Sequence, residues 1–63
     1  MTTRVSMESG VRERTRRAIL DAAMTVLTEN PAAALADIAS AASVGRSTMH
    51  RYYPERTDLL RAL

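Results

Sequence analysis

Arg46, Ser47, Thr48, His50 and Arg51 fall within one short run, GRSTMHRYYP, and hold the densest capacity for polar chemistry in the chain. Two guanidiniums, two hydroxyls and an imidazole can donate and accept hydrogen bonds in quantity, and nothing beside them would turn one into a nucleophile or a base. The 63 residues include one histidine, no cysteine and no cluster of carboxylates, so there is no catalytic set or metal site to assemble and no cofactor is implied. The chemistry on offer is recognition of a wet, charged partner.

The elements that must present these groups can be read from apolar spacing. Leu35, Ile38, Ala39 and Ala42 share one helical face; Ser43, Val44 and Gly45 interrupt it; a second pattern starts at Arg46 with Met49 and Tyr53 facing inward. This is a helix, a three-residue turn and a helix, and the second helix turns Ser47, Thr48, His50 and Arg51 outward. A helix-turn-helix that lays its second helix in the major groove of double-stranded DNA is the arrangement these features fit best.

Upstream, residues 1 to 9 are polar and without period, which predicts a disordered arm. From about Gly10 to Glu29 a long helix is expected, with Ser9 as N-cap and Ile19, Ala22, Ala23, Val26 and Leu27 on its buried face, stopped by Asn30 and Pro31. Arg17 lies four residues from both Glu13 and Asp21 and reads as a solvated ion-pair residue. Arg12 and Arg16 continue the stripe of Ile19 and Ala23 toward the helix start, where a phosphate backbone could lie along them.

The connector to the second helix, predicted over 35–42, offers no Ser, Thr or Asp at the N-cap position, so packing must hold that helix more than capping. Ala39 is the small residue where the two arms of the motif approach. The third helix is predicted over 46–53, and a fourth over 56–63 with Leu59, Leu60 and Leu63 on one face.

At this length the chain is one small helical domain of marginal stability, or a piece of something larger; the apolar pattern still running at Leu63 favours the piece. All nine basic residues are Arg against seven acids, a net charge of +2 and a pI near 9.9, which allows a polyanionic partner without demanding one. No apolar run reaches the ~20 residues of a membrane span and no signal-type segment opens the chain, so a cytoplasmic location is expected and no membrane. The alternative, a basic amphipathic module for a protein partner or membrane surface, is weakened because the apolar faces are of a size to cover one another.

The runs ILDAAMTVLTEN and LADIASAASVGRSTMHRYYPERTDLL together resemble the N-terminal DNA-binding domain of the TetR (tetracycline-repressor-like) family of bacterial transcription regulators, over about residues 12 to 63. The resemblance implies an all-α fold: a three-helix, homeodomain-like helix-turn-helix domain plus the start of a fourth helix. It further implies a repressor acting on a palindromic operator as a homodimer. The dimerising, effector-binding helical domain would lie outside these residues, leaving an isolated monomeric fragment.

Residue by residue, the resemblance gives Thr48, Tyr52 and Arg56 contacts to phosphates, and Arg46, Ser47 and His50 the reach to base edges, with Arg51 as a further outward candidate. Tyr53 matches an inward Phe. Three positions depart from the family pattern. Ser43 replaces the usual turn glycine and must take a left-handed backbone or a different turn; Gly45 replaces a capping Ser; His50 replaces a frequent Tyr.

Overall fold

The computed structural model describes residues 3–63, with side chains described from Gly10 onward. Four helices follow one another: α1 Thr3–Glu29, α2 Leu35–Ala41, α3 Arg46–Tyr52 and α4 Arg56–Ala62. At 1.5 Å per residue α1 alone is about 40 Å long, and it sets the long axis of a molecule measuring 45 × 20 × 19 Å.

The start of α1 corrects the expected disordered arm. Residues 3–9 are helical, so Ser9 lies inside α1 and not at its N-cap, and its side chain lies outside the described residues, as do Met1 and Thr2. No proline occurs in Thr3–Glu29, and one glycine costs a helix only about 1 kcal/mol, which adjoining turns can carry once the helix is nucleated downstream. Gly10 has no positive φ, and a Cβ there would come no nearer than 3.9 Å to the Arg14 side chain.

The core lies where the second half of α1 crosses the three short helices. Ile19, Ile38 and Leu59 are fully buried, and Ala23, Ala39, Met49 and Tyr53 complete the cluster. Each of the three large aliphatic side chains contributes roughly 1.5–3 kcal/mol through burial. Every helix supplies a member, which is why helices of seven residues, too short to persist alone, hold here. On α4 only Leu59 is buried; Leu60 and Leu63, expected on the same face, are 41% and 51% exposed, Leu60 lying about 100° round the helix from Leu59.

Local hydrogen bonds mark the end of α1 and the starts of α2 and α4. After α1 the Asn30 side-chain oxygen accepts from the Ala32 N–H at 3.2 Å, and the Asn30 carbonyl from the Ala33 N–H at 2.9 Å, closing a tight turn over Pro31. The second helix is capped after all: Asp37 reaches back from its third position to accept the Ala34 N–H at 3.1 Å, and Asp58 does the same for Glu55 at the start of α4. Both carboxylates also lie at the positive end of their helix. Scanning the N-cap position alone misses a cap supplied from three residues downstream.

Candidate nucleic-acid interface

The turn that aims α3 begins at the end of α2. The Val44 N–H donates to the Ala39 carbonyl at 3.0 Å and the Ser43 N–H to the Ser40 carbonyl at 3.1 Å, the paired bonds of a Schellman motif. Such a motif needs a left-handed residue, and Ser43 takes it, with φ 60°. Of the two alternatives open at this position, the chain adopts the strained one, at a cost of roughly 1–2 kcal/mol for a residue bearing a Cβ. Val44 then packs on the core, and Gly45, extended at φ −72° and ψ 161°, is the N-cap of α3 without a side-chain oxygen to offer.

From that start α3 turns Met49 into the core, and the buried Tyr53 follows as its C-cap. Its opposite face brings Arg46, Ser47, His50 and Arg51 together along one open, shallow depression, all four exposed. Arg46 and His50 also border a groove against Leu35, Ala36 and Ala39 of α2, so the polar face runs into the crease of the helix-turn-helix. Thr48 is half-buried, flanking this face and not standing at its centre. His50 and Arg51 sit in the last turn of α3, where positive charge complements the helix dipole.

The arginines predicted outside α3 divide into three cases. Arg12, exposed on α1, lines a second open cleft with Arg51 and the half-buried Tyr52, which continues the basic face across the two helices. Arg16 is exposed too, but Glu13 accepts from its guanidinium in the single ion pair found among the described residues. That bond is the first cause, and the Glu13 charge the second, of an Arg16 pKa above the ordinary arginine value. Glu13 therefore pairs three residues on and not with Arg17, which corrects the ion pair expected there.

Arg56 departs furthest from expectation. Its Nε–H donates to the Ala33 carbonyl at 3.2 Å and its Nη2 to the Pro31 carbonyl, so the partly buried guanidinium is held by the connector between α1 and α2.

Near the C-terminal end of α3, burial pushes the Tyr53 phenol above its usual value of 10.0, opposed by the Arg16 charge and assisted by Glu13. The face of α3 can thus grip a polyanion through Arg46 and Arg51 and distinguish its features through Ser47 and His50. Arginine bidentate to guanine and hydroxyls to phosphate oxygens are the pairings duplex DNA offers to such a set.

Comparison with known proteins places these features in a family. Residues 19–63 match the model of the bacterial regulatory proteins, tetR family. The HTH-type transcriptional repressor LfrR of Mycolicibacterium smegmatis (strain ATCC 700084 / mc(2)155) is 79% identical over 61 residues, 97% of this chain and 32% of that protein. A crystal structure of the TetR-like transcriptional regulator LfrR from Mycobacterium smegmatis in complex with proflavine superposes with a TM-score of 0.81 at 81% identity, over 82% of this chain and 30% of that one. A second crystal structure of that regulator gives 0.80 at 81% identity, over 84% and 30%. The chain therefore spans about a third of the length of these relatives. With its helix-turn-helix and the match over residues 19–63, the chain belongs to the TetR family of bacterial transcription regulators.

Proposed function

We propose that this chain is the operator-reading unit of a transcriptional repressor and docks α3 in the major groove of duplex DNA. The observation that carries this reading is the exposed face of Arg46, Ser47, His50 and Arg51 on a helix whose other face, through Met49, is locked into the core. Arg46, Ser47 and His50 reach base edges, while Thr48, Tyr52, Arg51 and Arg12 serve the phosphates. Arg16 joins them when it leaves Glu13.

The whole regulator is a homodimer on a palindromic operator in the cytoplasm. It is released by a small molecule bound to a domain beyond these residues, as the similarity to a regulator crystallised with proflavine supports. It works by binding and not by catalysis, and among the described residues no helix is long and apolar enough to cross a membrane.

Selection of bound duplexes from a random pool tests the reading, followed by titration of the recovered duplex at several salt concentrations. With Arg12 and Arg51 neutralising phosphates, the log–log salt slope should be about −2 per protomer. Arg46→Ala should relax preference at one base pair by about 1–3 kcal/mol, and Arg51→Ala should weaken all duplexes alike. Retention on anionic vesicles with none on DNA would replace this reading with a membrane-surface one.

A further inference from the structure

The guanidinium of Arg56 is tied to the protein's own backbone by contacts that reach 23 and 25 residues back along the chain. The acceptors are the carbonyls of Ala33 and Pro31, on the connector that delivers the chain into α2 at Leu35. Ala33 is 2% exposed, and the Arg56 Nε–H supplies the carbonyl of this buried residue with a donor. At the next turn of α4, Leu59 is fully buried in the core. Two attachments, one polar and one apolar, thus fasten the start of α4 to the rest of the domain.

We propose that Arg56 is a positioning residue for duplex binding, latching α4 to the α1–α2 connector and thereby fixing α2, and through the Ser43 turn α3, in the docking orientation. This rests on the DNA-binding reading above and deepens it by assigning Arg56 to the frame and not to a phosphate. Two of its five N–H donors already meet carbonyls, and the planar fork spans both acceptors at once. A lysine could match its charge toward a phosphate but, as a single point donor, could not span the two carbonyls in the same way.

The test uses the full chain and a fluorescently labelled duplex recovered from the random pool, with the folded fraction of each variant measured by circular dichroism at the binding temperature. For Arg56→Gln, affinity per folded molecule should fall about three- to tenfold, because the orientation that the two intramolecular hydrogen bonds hold must then be restored on docking, while the log–log salt slope stays as in the parent. Arg56→Lys, which retains the charge, should not restore it. A slope reduced in magnitude by about 0.9 in Arg56→Gln together with parental affinity in Arg56→Lys would overturn the proposal in favour of a phosphate contact.

An unchanged affinity per folded molecule with only a lower Tm would also overturn it, leaving Arg56 a stabilising residue without a part in docking. Should Arg56→Gln not fold, Arg56→Lys decides alone: parental affinity overturns the latch and a loss supports it. Failure of the parent to retain any duplex would show before any substitution is made, and would overturn the DNA reading and this proposal together.

Discussion

Replacing Ser43 by glycine should make the protein more stable, although the substitution removes a side chain. Ser43 holds φ 60° at the left-handed position of the Schellman turn, and its exposed hydroxyl makes no hydrogen bond among the described residues. A Cβ in that region costs roughly 1–2 kcal/mol, and glycine gives back about 0.5–1 kcal/mol through the greater freedom of its unfolded chain. The net gain is about 0.5–1 kcal/mol, which in a domain of this size raises Tm by about 2–8 °C. Thermal unfolding followed by far-UV circular dichroism reads it directly. Ser40→Gly is the matched control, being exposed one turn earlier but inside α2, where glycine should lower stability by about 0.5–1 kcal/mol. Equal destabilisation in both variants would refute the argument, because it would mean that the backbone at Ser43 carries no strain for glycine to relieve.

Gly45→Ser should add about 0.5–1 kcal/mol in the same assay, since a Cβ there meets nothing within 4 Å and the new hydroxyl can cap α3. Glu13→Gln should strengthen duplex binding and steepen the log–log salt slope by up to about 0.9, because it releases Arg16 for a phosphate; salt titration by fluorescence anisotropy shows it. Burial raises the folded Tyr53 phenol above 10.0, so its stabilising share is complete below that value and declines as pH rises through the higher folded one, where the unfolded chain has already released the proton. Urea melts on the alkaline side should therefore show a loss of stability that is reduced in Tyr53→Phe.

The legible parts of this chain were those written in local spacing. Ile19, Ala23, Ile38, Ala39, Met49 and Tyr53 announce buried faces at helical intervals, and the outward set of Arg46, Ser47, His50 and Arg51 follows from the same arithmetic, so the polar face is legible in the sequence. The bond between Arg56 and a connector more than twenty residues away leaves no trace in periodicity. Its charge reads identically whether it meets a carbonyl or a phosphate. Glu13 had arginines at both three and four residues' distance, and spacing alone does not choose between them. The upstream reach of α1 is not legible in spacing, because a helix without proline has no punctuation there and polar, aperiodic composition reads as disorder.

The distribution of these features divides the domain into a reading face and a frame, and the two respond differently to substitution. Helices α2, α3 and α4 have seven residues each, and each buries one or two side chains, so none keeps its orientation except through its neighbours. The direction of α3 is inherited from α2 through the strained Ser43 turn and from the core through Met49. The position of α2 depends in turn on the buried Ile38, on the Asp37 cap and on the connector that Arg56 grips. A change at Arg46, Ser47 or His50, the proposed base contacts, alters which groups a duplex meets and so should act on particular base pairs. A change at Ser43, Asp37, Arg56 or Leu59 shifts all of those groups together. It should therefore scale affinity for every duplex by a similar factor while leaving the order of preference intact.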